Sequence, residues 1–511
     1  MAWDNTATMR DLQVTTSGPE LPLTLVRDAS PSLATQLGDQ LRAAMRAGVL
    51  SAGERLPSTR GLARQLGVSR TVVTEAYQQL YAEGWLDGRH GSGTYVADLP
   101  EIVRPAPATA PAPPRRLRRD PARHAGKVVD LRPGSPWTLD YDRAAWRRAL
   151  RRAADHPLSP DPDPYGLPEL REALAVHLRR TRAVPVDAEG MIVTRGTGNG
   201  LGLVTAALLG PGDRAGVEDP GYRVARNTFR AHGAEVVSCP VDEDGVIVEG
   251  LPGDLRVLYT TPAHQYPTGG RLPIPRRERL LAWARRTGAI VIEDDYDAEF
   301  RYDVAPLPAL YGLDPDRVVL LGTLSKSLAP DVGVGWLLAR PDLLARFAET
   351  RSETGDRTPG PVQAAVTALL DHGDLDRHLR RMRLEYARRR AVVVELLGPL
   401  VRGDTAGLHV MIELPEHVVR PLAEAARERG VLLDTAERHH NGAPRRHGIV
   451  LGYGSASLQD VRRGCEIVAR LAAELAGAPV PREGRGGRRA DPPAARAAPT
   501  SGPRAEPARA R

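Results

Sequence analysis

Val318-Val319-Leu320-Leu321-Gly322-Thr323-Leu324-Ser325-Lys326 is a run of four aliphatic residues leading into a loop of small residues and one lysine. An unbroken apolar run of this length, with no polar alternation, suits a strand buried on both faces. Met191-Ile192-Val193-Thr194, Arg214-Ala215-Gly216-Val217, Val257-Leu258-Tyr259 and Ile290-Val291-Ile292 are runs of the same kind, and helix-length segments such as 274–286 separate several of them. Short buried strands alternating with crossover helices predict an α/β domain built on a parallel sheet.

Polar residues gather where these runs end. Arg195-Gly196-Thr197-Gly198-Asn199-Gly200 follows Thr194 and opens an apolar helix, a Gly-rich turn whose free backbone N–H groups suit a phosphate. Glu293-Asp294-Asp295-Tyr296-Asp297 follows Ile292, and Lys326 closes the loop after Leu321. The carboxyl ends of parallel strands are where open α/β sheets bind ligands. A Gly-rich turn alone is a weak sign, and a lone lysine is ordinarily a solvated surface group. A phosphate cradle, a carboxylate and a lysine meeting at one sheet edge suit pyridoxal 5′-phosphate. Lysine condenses with its aldehyde, and a carboxylate stabilises the protonated pyridine nitrogen. Tyr222, in Glu218-Asp219-Pro220-Gly221-Tyr222, is placed to cover the ring face.

Composition narrows the choice of lysine. The 511 residues carry 70 Lys and Arg against 63 Asp and Glu, a net +7, yet only Lys127 and Lys326 are lysines. Arginine stays protonated and cannot form the imine. Lys127 falls in a stretch rich in Pro, Ala and Arg, which leaves Lys326. Residues 101–127 and 481–511 each carry a net +5, so the rest of the chain is at −3 and the basic balance says little about the folded parts. Both stretches lack apolar periodicity and read as an extended linker (100–127) and a disordered tail (479–511). They bound an N-terminal domain at 25–99 and a large domain at 128–478. Two cysteines, Cys239 and Cys465, exclude a disulfide framework and a Cys-rich zinc site, and no metal site is expected. No stretch approaches the roughly 20 apolar residues of a bilayer span, and Met1-Ala2-Trp3-Asp4 does not open a secretory leader, so a cytoplasmic protein without membrane contact is expected.

In the N-terminal domain, Leu33, Leu37, Leu41, Ala44, Met45 and Leu50 repeat at helical spacing. Ser58 caps a second helix that ends at Gly67, and Ser69 caps a third over 70–82. Val72, Val73, Ala76 and Leu80 point this third helix inward, with Arg70, Thr71, Thr74, Tyr77 and Gln78 outward or flanking. Residues 85–88 and 94–96 read as two short strands. Three helices and a ribbon make a winged helix-turn-helix, whose third helix would enter a major groove. Arg70 suits guanine acceptors there, and the hydroxyls of Ser69 and Thr71 suit phosphates. Such short patterns also serve protein–protein contacts.

The residues themselves go further than the pattern. Leu56-Pro57-Ser58-Thr59-Arg60, Leu66-Gly67-Val68-Ser69-Arg70-Thr71-Val72, Tyr81-Ala82-Glu83-Gly84-Trp85-Leu86 and Gly91-Ser92-Gly93-Thr94-Tyr95-Val96 resemble the GntR family of bacterial transcriptional regulators. That resemblance implies DNA contacts at Arg60, Ser69, Arg70, Thr71, Thr74, His90 and Gly91. Thr261-Pro262-Ala263-His264-Gln265-Tyr266-Pro267-Thr268-Gly269, the segment 293–302, the segment 322–330 and Arg377-His378-Leu379-Arg380-Arg381-Met382-Arg383 resemble the MocR subfamily. Its members join a GntR-type winged helix to a domain similar to fold-type I aminotransferases. The resemblance covers about residues 31–475. It implies that Lys326 carries pyridoxal phosphate and that Asp294 or Asp295 pairs with the pyridine nitrogen. Tyr296 would meet the phenolic oxygen, Tyr222 would stack on the ring, and Gly196, Thr197, Gly198, Thr323 and Ser325 would surround the phosphate. It also implies a homodimer that senses an amino-compound effector through the lysine-bound cofactor and engages operator DNA accordingly.

The sequence departs from this pattern in places. Pro330-Asp331-Val332-Gly333-Val334-Gly335-Trp336 has Gly333 where the family carries an arginine on the cofactor phosphate. Losing a charge-assisted contact of that kind weakens binding by about 1.5–3 kcal/mol unless another cation substitutes. A tyrosine expected near Asp161 is missing, with Tyr165 close by. Arg445 or Arg446, before the strand Ile449–Tyr453, could serve the substrate carboxylate that related enzymes bind. Three readings therefore stand: a sensing regulator, an active aminotransferase carrying a DNA-binding domain, and a regulator with a degenerate cofactor site. The retained Lys326 and Asp-Asp-Tyr favour the first, and the missing arginines weigh against turnover.

Overall fold

A computed structural model describes residues 23–27, 30–89, 93–98, 128–303 and 308–476. The expected linker and tail, and the candidate DNA contacts His90 and Gly91, lie outside the described residues. The chain divides into two compact units, Met1–Arg119 and Asp120–Arg511.

The first unit holds α1 (Leu33–Arg46), α2 (Thr59–Leu66), α3 (Arg70–Ala82) and an antiparallel ribbon of β1 (Leu86–Arg89) and β2 (Gly93–Val96). Each helix starts at a serine whose hydroxyl accepts a first-turn N–H: Ser32 from Thr35, Ser58 from Gly61 and Ser69 from Val72. This satisfies donors that have no intrahelical partner. Leu37, Leu41, Leu62, Val73, Ala76, Leu80 and Trp85 close the core. Tyr77 departs from its expected outward or flanking placement. It stands one turn after Val73 on the same helix face, its ring is buried, and its hydroxyl donates to the Pro57 carbonyl at 3.0 Å. A tyrosine can face a core when its one polar atom finds an acceptor. Val72, expected inward, is only half-buried.

The second unit starts with β3 (Val129–Asp130), α4 (Arg143–Ala154) and α5 (Pro168–Arg182). Its large sheet is made of β4 (Met191–Thr194), β5 (Arg214–Asp219), β6 (Glu235–Asp242), β7 (Gly245–Val246), β8 (Val257–Thr260), β9 (Ile290–Asp295), β10 (Val318–Thr323) and β11 (Gly335–Leu338). The spatial order is β4-β11-β10-β9-β8-β5-β6-β7. Strands β6, β5, β8, β9 and β10 run parallel, while β11 is antiparallel to both β10 and β4. The carboxyl ends of β4, β10, β9, β8 and β5 therefore share one edge. The crossovers include α6 (Thr197–Leu208), α7 (Arg223–Ala231), α8 (Ile274–Thr287) and the short α9 (Leu310–Leu313). They bury apolar side chains on both faces of the sheet.

After β11 come α10 (Pro341–Glu353), α11 (Gly360–Asp371) and the long α12 (Asp374–Leu397). A second, antiparallel sheet follows, ordered β12 (Val401–Arg402), β13 (His409–Glu413), β16 (Gly448–Gly452) and β15 (Asp434–Thr435). It packs with α13 (Glu416–Glu428), which in turn packs on α14 (Leu458–Leu475), while β14 (Val431–Leu432) pairs in parallel with β3. Among the described residues no helix is long and apolar enough to cross a membrane.

Candidate functional site

Strand β9 runs three residues past the apolar run Ile290–Ile292, so Glu293, Asp294 and Asp295 are buried strand residues. Burial of a carboxylate requires partners, and two of the three are fully engaged. Glu293 accepts the backbone N–H groups of Leu310 and Tyr311, each at 3.0 Å. Asp295 forms a two-pronged pair with Arg182 at 2.7 and 2.8 Å. Asp294 is the exception. Its Oδ2 accepts the Tyr259 hydroxyl at 2.5 Å, and its Oδ1 is buried with no partner. Burial, reinforced by the charge of Asp295, raises its pKa to about 7 although the Tyr259 bond pulls the other way.

Asp294 belongs to the wall of a cavity of about 260 Å3 at the carboxyl edge of the sheet. Lys326, Asp294, Tyr296, Tyr222, Gly196, Thr197, Gly198, Thr323 and Ser325, drawn from four separate segments, all line it. Helix α6 opens at Gly196 with no side-chain cap, leaving its first-turn N–H groups to whatever occupies the cavity. The loop sits directly on the β10 hydroxyls: a Cβ at Gly196 would stand 3.1 Å from Thr323 Oγ1 and 3.5 Å from Ser325 Oγ. Gly335 is held to glycine by the same crowding, since a Cβ there would come within 2.6 Å of the Gly196 Cα. Thr323 and Ser325 bond each other at 2.9 Å.

Lys326 Nζ donates to the Gly134 carbonyl at 2.5 Å. Burial lowers its pKa, opposed by the charges of Asp294 and Asp297. Tyr296 donates its hydroxyl to the His264 carbonyl at 3.0 Å. Tyr222 stacks on Tyr259, with ring centroids 6.2 Å apart and planes inclined by 22°. An unpartnered buried carboxylate oxygen, a lysine, an uncapped helix start and a tyrosine at one cavity fit pyridoxal phosphate in charge and in kind.

Other parts of the wall were not foreseen from sequence. Tyr259 read only as a strand residue. Tyr266 and Asp297 stood in quoted motifs without a role. Gly134 and His409 come from distant segments with no local signal. His264, Asp297 and His409 bring ligand-type atoms within 4.8 Å of one another, and His264 Nδ1 lies 2.9 Å from Asp297 Oδ2. Arg445 and Arg446 do not line the cavity. Gly333 has a left-handed backbone (φ 59°), and a Cβ there would meet nothing within 4 Å. Tyr165 packs against the core beside α6 and is not part of the wall.

In the first unit, Arg60, Ser69, Arg70 and Thr71 are exposed around the starts of α2 and α3. Thr74 is half-buried, and its hydroxyl donates to the Arg70 carbonyl at 2.9 Å.

Residues 33–96 match the gntR family of bacterial regulatory proteins, and residues 128–440 match aminotransferase class I and II. The HTH-type pyridoxine biosynthesis transcriptional regulator PdxR of Corynebacterium glutamicum is 38% identical over 443 residues, 85% of this chain and 95% of that protein. The probable rhizopine catabolism regulatory protein MocR of Rhizobium meliloti is 35% identical over 482 residues, 89% of this chain and 97% of that protein. Among solved structures, a multiple substrate aminotransferase from Thermococcus profundus superposes with a TM-score of 0.64 at 25% identity, covering 70% of this chain and 94% of its own. An archaeal alanine:glyoxylate aminotransferase gives 0.63 at 26%, covering 68% and 91%.

Proposed function

The chain belongs to the MocR subfamily of GntR-type transcriptional regulators, and on that premise we propose that it senses an amino compound through pyridoxal phosphate held at Lys326. Regulators of this type bind operator DNA through the helix-turn-helix, and aminotransferases of this class bind pyridoxal phosphate. The observation that carries the reading is the convergence on one cavity of Lys326, the uncapped start of α6 and Asp294, a carboxylate with one unpartnered oxygen.

Bound there, the cofactor supplies an aldehyde that holds a primary amine covalently and reversibly. Asp294 would accept the pyridine N–H, and Tyr222 would cover the ring. Tyr296 would meet the phenolic oxygen, and the Gly196-Thr197-Gly198 backbone with Thr323 and Ser325 would take the phosphate. Lys326 would hold the aldehyde, and it is the amine with which an effector's own amine would compete. Burial favours its neutral form, which is the nucleophilic one. On the DNA side, Arg70 reads bases, while Arg60, Ser69 and Thr71 hold the backbone; Thr74, His90 and Gly91 are the further DNA contacts that the family resemblance implies. A homodimer couples the two events.

Sensing is favoured over turnover because Arg445 and Arg446, the candidates for a substrate carboxylate, stay out of the cavity wall. Titrating the purified chain with pyridoxal phosphate should produce the visible absorbance band of a lysine-bound cofactor, and Lys326→Ala should abolish it. No band in the wild type would remove the cofactor from the reading. Sustained transamination of amino acids with an oxo-acid acceptor would restore the enzyme.

A further inference from the structure

Helix α4 reads Arg-Ala-Ala-Trp-Arg-Arg-Ala-Leu-Arg-Arg-Ala-Ala, five arginines and no acidic residue. Its buried face is Ala145, Ala149 and Ala153, and it packs against α11. The arginines divide into two stripes. Arg148 lies 3.4 Å from Asp374, and Arg152 meets the His372 ring, both at the junction of α11 and α12. Arg143, Arg147 and Arg151 form the other stripe. All three are exposed, and none has an ion pair or hydrogen bond to a described residue.

An exposed arginine is ordinarily a solvated one, and this chain is rich in arginine. Helix α8 shows how that composition is handled elsewhere. Its Arg276, Arg279 and Arg285 pair with Asp242, Glu249 and Asp314, and its Arg277 is buried on backbone carbonyls. The α4 stripe has no such matching, and it is placed against the interests of its own helix. Like charges four residues apart repel each other. Arg143, at the first helical position, also faces the positive end of the helix dipole. Outside residues 101–127 and 481–511 the chain is net acidic, so the stripe is not the overflow of a basic domain.

The three positions advance about 6 Å per step along the helix axis, about 12 Å in all. A DNA strand presents one charge about every 3.4 Å of duplex axis, so this length faces a run of about three phosphates. Arginine can bond a phosphate through two N–H groups at once. The gntR-type unit of the same chain brings such a polyanion to the protein. We propose that α4 is a second DNA-contacting surface, carried by the aminotransferase-like unit, whose Arg143, Arg147 and Arg151 take backbone phosphates beside the site read by the helix-turn-helix. This rests on the DNA-binding reading above and is independent of the cofactor.

The test titrates the full chain onto a fluorescent random-sequence duplex of about six helical turns, at a series of salt concentrations. Phosphate contacts do not depend on sequence, and each one adds about 0.9 to the slope of log affinity against log salt. The triple variant Arg143→Ala/Arg147→Ala/Arg151→Ala should lower that slope by about two to three and weaken binding about tenfold or more at moderate salt. Lysine at the same three positions keeps the charge and should keep most of the slope. Arg279→Ala/Arg286→Ala/Arg346→Ala, which removes as much charge from exposed positions on α8 and α10, should change the slope by less than about one. The α4 alanine variant should melt no lower than wild type, since alanine favours helix and the repulsion is relieved. No binding by the wild type at low salt would overturn the DNA reading itself. With normal wild-type binding, the α4 assignment is overturned by an unchanged slope in its alanine variant or by an equal fall in the α8 and α10 variant. It is also overturned if the α4 alanine variant loses stability or the wild-type oligomeric state, because the stripe would then serve the protein's own packing or a contact between copies.

Discussion

Tyr259 donates its hydroxyl to Asp294 Oδ2 at 2.5 Å, while the other oxygen of this cavity-lining carboxylate, Oδ1, is buried without a partner. In the chain free of cofactor this is an unfavourable arrangement for a carboxylate, and its pKa rises from 3.8 to about 7, chiefly through burial. Between those two values the folded chain holds a proton that the unfolded chain has released. Unfolding then releases a proton, so stability falls as pH rises across that window. Asp294→Asn, of nearly the same shape, should flatten the slope by up to about 1.4 kcal/mol per pH unit. Denaturant midpoints of both proteins at pH 5, 6 and 7, without cofactor, check this. Parallel slopes would show that Asp294 is ionised throughout.

DNA binding is predicted to separate cleanly from helix stability at the start of α3. Arg70 is exposed at the first helical position, whereas Ser69 accepts the Val72 N–H as the helix cap. Arg70→Ala should abolish specific operator binding at moderate salt while leaving the melting temperature and the cofactor band in place. Ser69→Ala should also cost the domain about 0.5–2 kcal/mol of stability through loss of the cap. Fluorescence anisotropy with operator DNA, paired with thermal melts, distinguishes the two. Undiminished operator affinity in Arg70→Ala would place the recognition surface elsewhere.

The parallel sheet was legible because its strands are unbroken apolar runs, and the cavity-lining set because it falls where those runs stop. The strand ends were less legible. Glu293, Asp294 and Asp295 look like a loop, and they lie in a buried strand only because Leu310, Tyr311, Tyr259 and Arg182 meet their carboxylates from elsewhere in the chain. The choice between Asp294 and Asp295 had the same obstacle, since Arg182 carries no local mark of pairing with Asp295. Tyr77 was misread because an amphipathic ring is ambiguous until the Pro57 carbonyl is in view. His409 belongs to a second sheet whose two- to five-residue strands give little periodicity to read.

Gly333 offers a gain-of-function test of how the phosphate is held. A side chain there meets open space, but φ of 59° lies in the left-handed region. Gly333→Arg should therefore destabilise the fold by about 1–2 kcal/mol. That strain is present with and without cofactor, so it cancels in the binding equilibrium. What remains is one charge-assisted contact to the phosphate, about 1.5–3 kcal/mol, or roughly tenfold or more in affinity for pyridoxal phosphate. The same substitution should leave affinity for pyridoxal, which lacks the phosphate, unchanged. Equilibrium titrations of both vitamers into wild type and variant, alongside a thermal melt, measure all three quantities. Tighter binding of pyridoxal as well would trace the gain to something other than the phosphate. An unchanged pyridoxal phosphate affinity would mean that the uncapped α6 start and the Thr323 and Ser325 hydroxyls already hold the phosphate without help from position 333.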